Sequence, residues 1–155
     1  MVQSEVSGVM FSVNPVTNDK QQIVIEAAWG LGDYIVQGVV TPDHYVVKKD
    51  GFTIHSRLVS DQTVMEVYKY PSGVKKVKVK PALVNKAKLT DDQIIKLARI
   101  GAAIQKHYYF PQDMEWALED GALYIVQSRP ITTLNLHPEK EKTVDPKSLD
   151  AMKQI

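Results

Sequence analysis

Cysteine is absent from this chain of 155 residues. Without thiols, the protein cannot form disulfides, thiolate-bound zinc sites or iron–sulfur clusters, and it cannot use a cysteine nucleophile. A chain without cysteine also suits a reducing compartment, and we therefore expect the protein to act in the cytoplasm.

An excess of charge of one sign is also missing, because 19 lysines and arginines are balanced by 18 aspartates and glutamates. Proteins that bind nucleic acid or an anionic membrane usually carry a clear basic excess. We therefore expect no nucleic-acid partner and no membrane partner.

Long apolar runs are lacking as well, and none approaches the roughly 20 residues that a membrane helix needs. The first residues do not show the basic start and apolar stretch of a secretory signal peptide, so we expect none. With 44% hydrophobic residues, the chain can still bury a core as one ordinary domain.

The hydrophobic pattern predicts a β-rich chain with one long helix. Asp50-Gly51 marks a tight hairpin turn between two strands. A glycine loop at 29–32 precedes a predicted short helix. Strands are predicted over residues 6–13, 22–28, 45–49, 52–58, 62–70 and 74–80.

The last of these strands, residues 74–80, alternates valine with lysine near its end. One interpretation is a basic patch that contacts phosphate groups. The other is an exposed edge strand whose lysines discourage pairing with other chains. The second is favoured, since charged edge strands are common.

The long helix is predicted to begin at Thr90, which forms a capping box with Gln93. Asp91 and Asp92 suit the positive end of the helix dipole, and Pro111 prevents the helix from continuing. One helix face should pack on the sheet, which gives an α+β fold with a mainly antiparallel sheet. The residues expected on that face are Ile94, Leu97, Gly101, Ile104 and Tyr108.

Residues 111–131 form the most informative segment, in which two strands flank Glu119, Asp120 and Gly121. A one-residue change of register turns a strand over, so the loop length decides which side chains share a face. A three-residue loop is favoured over a two-residue loop, because it separates polar from apolar side chains and suits a left-handed Gly121. It predicts an apolar face of Met114, Trp116, Leu118, Ala122, Tyr124 and Val126, and an opposite face of Glu115, Ala117, Ile125, Gln127 and Arg129.

In that register Glu115 and Gln127 are diagonal neighbours, with Cα atoms about 7–8 Å apart. Their side chains both end in oxygen acceptors, which can converge on a hard cation such as Mg²⁺. Arg129 follows on the same face, and a guanidinium beside a magnesium site favours phosphoryl transfer, since both neutralise phosphate oxygens. A solvated outer face with an ordinary Glu–Arg pair explains the same residues, and the pattern alone leaves both interpretations open.

A second candidate is Glu26 together with the glycine loop at 29–32. Glycines between a strand and a helix can expose backbone N–H groups to an anion, but the spacing matches neither a dinucleotide-binding motif nor a P-loop. A helix-capping turn is the favoured interpretation.

The histidines lack the spacing of a zinc site and are predicted to be structural or solvated: His44, His55, His107 and His137.

A resemblance to a known family rests on three segments that occur in the order SGVMFSVNPVT, IVIEAAWGLGDYIVQGVVTPDHYVV and PQDMEWALEDGALYIVQSRPIT. They resemble the nucleotide-binding domain of the phosphoenolpyruvate synthase family, which pyruvate phosphate dikinase and rifampin phosphotransferase share. The resemblance implies that residues 1–134 form the C-terminal subdomain of an ATP-grasp fold. Residues 135–155 would then be a linker toward a missing phosphohistidine domain.

The resemblance also implies ligands and roles for individual residues. ATP and Mg²⁺ would bind in a cleft between two subdomains, with Glu115 and Gln127 as the metal-binding pair. Arg129 matches the catalytic arginine that contacts the phosphates. Glu26 lies in a family motif near the cleft, and its role in binding the nucleotide stays open.

The reaction implied by the resemblance cleaves ATP to AMP and passes the β-phosphoryl group through a histidine on a swivelling domain to pyruvate. In phosphoenolpyruvate synthase the γ-phosphate is lost to water. The first ATP-grasp subdomain, the phosphohistidine domain and the barrel domain would be its partners, so the chain alone is expected to be inactive. Two alternatives stay open: the same domain of a rifampin phosphotransferase or pyruvate phosphate dikinase, and a non-catalytic binding module.

Overall fold

The computed structural model describes residues 5–131, and the predicted linker at 135–155 lies outside the described residues. No helix within residues 5–131 is both long and apolar enough to cross a membrane. The elements are, in chain order, β1 (Val6–Phe11), β2 (Gln22–Trp29), α1 (Asp33–Val36), β3 (Asp43–Lys48), β4 (Thr53–Leu58), β5 (Val64–Tyr68), β6 (Val74–Lys78), a 3-10 turn (Pro81–Leu83), α2 (Asp91–Tyr108), β7 (Gln112–Glu119) and β8 (Ala122–Pro130).

Two antiparallel sheets form the framework of the described residues. The main sheet has six strands in the order β4-β3-β2-β1-β7-β8, and β5 pairs with β6 in a small second sheet. A parallel bridge between Gly30 and Glu66 attaches the small sheet to the end of β2. The expected α+β arrangement of a mainly antiparallel sheet with one long helix is confirmed, and each predicted strand is present with slightly different ends.

The lysine-rich strand β6 pairs only with β5 among the described strands. Its lysines Lys75, Lys76 and Lys78 are exposed. This placement agrees with an exposed edge strand, the interpretation that the sequence favoured.

The long helix α2 covers one face of the main sheet. The Gln93 amide donates to Thr90 Oγ1 at 3.2 Å, and the Thr90 amide donates to Gln93 Oε1 at 2.9 Å, so the predicted capping box is present. The expectation that Tyr108 packs on the sheet is wrong, because this side chain in the last turn is 55% exposed. The buried residues of the helix are Ile94, Leu97, Ala98 and Gly101.

The hairpin of β7 and β8 departs from the predicted register. Its loop contains two residues, Asp120 and Gly121, with φ angles of 50° and 77°. Positive φ at both central residues is the geometry that two-residue hairpin loops favour. Glu119 therefore pairs with Ala122, and the predicted three-residue loop is wrong.

A β-bulge in β8 corrects the register before the strand reaches the candidate site. Trp116 pairs with Ile125, but the preceding Glu115 pairs with Gln127, so Val126 is an extra residue. The bulge explains how a two-residue loop is compatible with Glu115 and Gln127 on one face, a combination that an uninterrupted ladder does not allow.

The predicted apolar face of β8 is corrected at the same time. Leu123 and Ile125 pack against the core, although Ile125 was expected on the polar face. Tyr124 and Val126 are 45% and 58% exposed, and Ala122 is exposed as well. The core positions predicted for β7 are confirmed as buried: Met114, Trp116 and Leu118.

A buried ion pair connects β3 to the segment before α2. Lys88 Nζ lies 2.6 Å from Asp43 Oδ1, and both side chains are fully buried. Tyr45 Oη donates to Asp43 Oδ2 at 2.6 Å, and the Ser60 amide donates to Asp43 Oδ1 at 2.9 Å. Hydrogen bonds therefore compensate the buried charges in addition to their mutual attraction.

Candidate functional site

A row of side chains crosses the main sheet on the face opposite to α2. Neighbouring strands pair His44 with Glu26, Glu26 with Val9, Val9 with Glu115, and Glu115 with Gln127. Directly paired residues point to the same side of a sheet. The strand register therefore brings these five positions together on one face, although they come from five different strands.

Glu115 and Gln127 are direct neighbours, which is closer than the diagonal arrangement that the sequence predicted. Opposite residues in an antiparallel pair have Cα atoms about 4.5–5.5 Å apart. Glu115 is half-buried and Gln127 is exposed. The pair thus offers a carboxylate and an amide oxygen on one side of the ribbon, and such oxygen donors suit Mg²⁺.

Protein groups alone would not complete a metal site at this pair. Within residues 5–131, no group of three or more histidine, cysteine, aspartate or glutamate side chains is placed to hold a metal ion. Mg²⁺ commonly binds through one or two protein oxygens and takes its other ligands from water and phosphates. The donor set of Glu115 and Gln127 fits that mode of binding.

Arg129 lies on the same face, directly opposite Asp113. Its Nε atom is 3.3 Å from Asp113 Oδ2, and the arginine side chain is 59% exposed. Since the contact uses Nε, the terminal amino groups of Arg129 stay available to another anion. Sequence reasoning missed Asp113, although its position two residues before Glu115 places both carboxylates on the same face of β7.

Glu26 belongs to the same row, but at a greater distance. It lies two strands away from Glu115, which corresponds to about 9.5 Å between their Cα atoms. Burial raises the pKa of the half-buried Glu26 carboxyl, and nearby His44 partly lowers it. His44 Nδ1 is 3.9 Å from Glu26 Oε1, so this histidine faces the site as well.

The glycine loop after β2 is a tight structural turn. Gly30 has a φ of 78°, and a Cβ atom there would lie 2.4 Å from the Glu66 carbonyl oxygen, so glycine is required. The amides of Gly30 and Leu31 donate to the carbonyls of Glu5 and Glu66 at 2.9 and 2.8 Å. These two amides are therefore not available to an anion, and Gly32 serves as the N-cap of α1.

A cavity of about 390 Å³ lies beside Glu115, between the open face of the sheet, α1 and β5. The sheet forms its floor, the glycine loop and α1 form one wall, and β5 contributes an aromatic side chain. The lining includes Val9, Leu31, Asp33, Tyr68, Glu115 and Ala117.

The order of residues along β7 separates a charged end of the site from an apolar end. Asp113 and Glu115 come first and lie beside Arg129 and Gln127. Ala117 follows two residues later and lines the cavity. With a cation bound at Glu115 and Gln127, the arrangement can accept a ligand that has an anionic end and an uncharged, partly apolar end.

Most of the chain is similar in sequence to a known domain family. Residues 1–149 match the family model described as "Pyruvate phosphate dikinase, AMP/ATP-binding domain". The phosphoenolpyruvate synthase of Pyrococcus furiosus is 50% identical over 142 residues, which cover 86% of this chain and 17% of that protein.

Two further relatives also match most of the chain. The probable phosphoenolpyruvate synthase of Archaeoglobus fulgidus is 43% identical over 155 residues, covering 100% of this chain and 20% of that protein. The rifampicin phosphotransferase of Bacillus cereus is 40% identical over 139 residues, covering 90% of this chain and 16% of that protein. The chain thus spans a fifth or less of the length of these relatives.

Proposed function

Because the chain belongs to the pyruvate phosphate dikinase AMP/ATP-binding domain family, we propose that it binds Mg·ATP as part of a phosphoenolpyruvate synthase. In this proposal it is the C-terminal subdomain of an ATP-grasp nucleotide site, with residues 1–134 as the subdomain and 135–155 as a linker. The observation that carries the proposal is the direct pairing of Glu115 with Gln127, beside Arg129, on the open face of the main sheet.

Glu115 and Gln127 would hold Mg²⁺ through their carboxylate and amide oxygens. A Mg²⁺ ion held there would supply positive charge that neutralises the phosphate charge developing during phosphoryl transfer. Asp113 holds Arg129 by its Nε atom, so the terminal amino groups of Arg129 can contact the phosphates as the catalytic arginine. Glu26 lies on the same face as Glu115, with Val9 between them, and would contact the nucleotide complex from that position.

The two ends of the site suggest the orientation of the nucleotide. Its phosphates lie at the charged end with Gln127 and Arg129, where cations neutralise them. Its nucleoside then extends over Glu115 into the cavity, where Leu31 and Tyr68 offer apolar surface.

The complete enzyme would need parts that the described residues do not contain. The first ATP-grasp subdomain would close the nucleotide cleft. A phosphohistidine domain would accept the β-phosphoryl group and water would take the γ-phosphate, which leaves AMP, and a barrel domain would deliver the β-phosphoryl group to pyruvate. The reaction takes place in the cytoplasm in this proposal.

A rifamycin is the second candidate acceptor, favoured by the 40% identity to the rifampicin phosphotransferase of Bacillus cereus. Both enzymes would use the same nucleotide domain, so these residues do not discriminate between them. Assaying AMP formation by the full-length enzyme with pyruvate and with rifampicin separates the two candidates.

The variant Gln127→Ala tests the proposed metal pair. We expect it to weaken Mg·ATP binding by about tenfold or more, because one of the two metal-binding oxygens is lost. NMR titration of the chain with ATP measures this affinity even when binding is weak. With EDTA present, the variant and the wild type should bind ATP equally, since Gln127 acts through the metal.

A matched control for this experiment is Gln21→Ala, which removes an exposed glutamine before β2. We expect it to retain the wild-type affinity for Mg·ATP. Equal affinities of Gln127→Ala and the wild type in Mg²⁺ would contradict the proposal, and so would an equal loss in the two variants.

A further inference from the structure

The cavity beside Glu115 contains a polar group that the proposed metal and phosphate contacts do not use. Its walls are largely apolar, but the Asp33 carboxyl also lines it. Asp33 occupies the first turn of α1, next to the glycine loop. Asp33 is exposed and lines the cavity, so its carboxylate oxygens can accept hydrogen bonds from a ligand group that enters the cavity.

The neighbouring Glu66 keeps Asp33 in the role of an acceptor. Glu66 is only 5% exposed, and its Oε1 atom has no hydrogen-bond partner among residues 5–131. Burial raises the pKa of the Glu66 carboxyl, and its hydrogen bond and charge repulsion with Asp33 raise that pKa further. The raised pKa of Glu66 favours a proton on this carboxyl group, which can then donate a hydrogen bond to Asp33.

The backbone fixes this carboxyl pair relative to the cavity. The Leu31 amide donates to the Glu66 carbonyl at 2.8 Å, next to the bridge with Gly30. Lys76 lies opposite Glu66 in the β5–β6 ladder, but within the described part of the chain it forms no ion pair with either carboxyl group. Glu66 thus interacts with Asp33 rather than with a cation.

The charge of the cavity shows which part of a nucleotide suits it. Among residues 5–131, no lysine, arginine or histidine lines the cavity, so it is poorly suited to phosphates. Hydroxyl groups donate hydrogen bonds that a carboxylate oxygen accepts well. The two neighbouring hydroxyl groups of a ribose can donate to both oxygens of one carboxylate.

We propose that Asp33 recognises the ribose of the bound nucleotide by accepting hydrogen bonds from its 2′- and 3′-hydroxyl groups. Glu66 is a positioning residue that holds the Asp33 carboxyl in place. This inference rests on the proposed function, because it requires a nucleotide that extends from Arg129 over Glu115 into the cavity.

A thermodynamic cycle of protein and ligand changes tests this contact. ATP and 2′,3′-dideoxy-ATP are titrated, with Mg²⁺, into the wild-type chain and into Asp33→Ala, and the dissociation constants are measured by NMR. We expect the wild type to prefer ATP by about tenfold or more, since hydrogen bonds to a charged group are lost with the hydroxyls. In Asp33→Ala the preference should disappear, while binding of the dideoxy nucleotide stays unchanged.

A matched control is Asp92→Ala, which removes an exposed aspartate from the first turn of the other helix, α2. It should retain the wild-type preference. Glu66→Leu should reduce the preference, and Glu66→Gln should restore it, because the glutamine amide still donates to Asp33. A purely structural role of Glu66 would change the affinities for both nucleotides equally.

The outcomes separate this inference from the proposed function. The ribose contact is refuted, and the metal site stands, if Mg·ATP binds and responds to Gln127→Ala but the wild type does not prefer ATP over the dideoxy nucleotide. The same conclusion follows if Asp33→Ala keeps the wild-type preference for ATP. If Mg·ATP does not bind to the wild-type chain, the proposed function fails, and the ribose contact fails with it.

Discussion

At the scale of single residues, Val126 decides the geometry of the candidate site. An uninterrupted ladder from Trp116 and Ile125 would place Val126 opposite Glu115 and would turn Gln127 toward the helix side. The bulge inserts Val126 as an unpaired residue and brings Gln127 beside Glu115. Bulges that redirect one side chain are frequent next to functional sites.

Trp116 tests the assignment of the two faces of β7 at the same scale. It is 1% exposed, and its Nε1 atom donates to the Val9 carbonyl at 3.1 Å. We expect Trp116→Ala to lower the free energy of unfolding by about 3–5 kcal/mol, because it leaves a large cavity in the core. Equilibrium unfolding in urea measures the change.

The exposed Tyr124 on β8 provides the control for this variant. Tyr124→Ala should change the free energy of unfolding by less than about 1 kcal/mol, since little surface is buried there. If Gln127→Ala unfolds the protein while Trp116→Ala leaves it stable, the faces of the β7–β8 ribbon have been assigned the wrong way round.

At the scale of elements, two ion pairs of similar length connect strands to the α2 region in different surroundings. Lys88 and Asp43 approach to 2.6 Å with side chains that are 0% exposed. Arg57 of β4 and Asp91 of α2 approach to 2.8 Å with side chains that are 47% and 59% exposed. Burial rather than distance should therefore decide how much each pair matters.

Removing the cation of each pair tests this difference. Lys88→Met should lower the free energy of unfolding by about 3–5 kcal/mol, because Asp43 remains as an uncompensated buried charge. Arg57→Met should cost no more than about 1 kcal/mol, since water screens the exposed pair. Urea unfolding measures both, and equal costs would show that burial does not control these pairs.

Glu66 makes the attachment of β5 to α1 dependent on pH. Burial raises its pKa above the usual value of 4.5, and Asp33 raises it further. The folded state therefore binds a proton at Glu66 more tightly than the unfolded state does. The stabilising contribution of Glu66 is complete below the unfolded pKa and is lost as the pH rises through the folded pKa.

The neutral variant Glu66→Gln should remove this dependence. We expect the wild type and the variant to melt at similar temperatures in acid, and the wild type to melt progressively lower than the variant as the pH rises above the unfolded pKa. Thermal unfolding at a series of pH values measures the difference. A difference in melting temperature that stays constant across the pH series would contradict a raised pKa of Glu66 in the folded state.

At the scale of the whole molecule, the described residues form a sheet with one covered face and one open face. Helix α2 packs on one side, and the row from His44 to Gln127 lies on the other. A nucleotide on such an open face would be solvated from above, whereas phosphoryl transfer benefits from a closed and dry site. An open face of this kind is therefore expected if the described residues form one half of a nucleotide-binding cleft.

We expect the 155-residue chain to show no pyruvate-dependent formation of AMP, because the proposed function assigns the second half of the cleft and the phosphoryl acceptor to other domains. A coupled assay for AMP measures this, with the full-length enzyme as the positive control. Turnover by the chain alone at a rate comparable to that of the full-length enzyme would contradict the proposal.

Local patterns predicted most of the elements. The capping box of Thr90 and Gln93, the Asp50-Gly51 turn and the apolar positions of β7 depend on residues close together in the chain, so composition and spacing were sufficient. The predicted polar face of the hairpin at 111–131 indicated Glu115, Gln127 and Arg129 as candidates, and the resemblance to a known family implied the same three residues.

The sequence by itself therefore determined which elements form and which residues are candidate ligands for metal and phosphate. Only the tertiary structure decided how these residues meet: the bulge at Val126, the row that includes Glu26, the contact of Asp113 with Arg129, and the carboxyl pair of Asp33 and Glu66. The physical reason is that strand register and burial depend on pairing between segments far apart in the chain, where one extra residue turns every following side chain over.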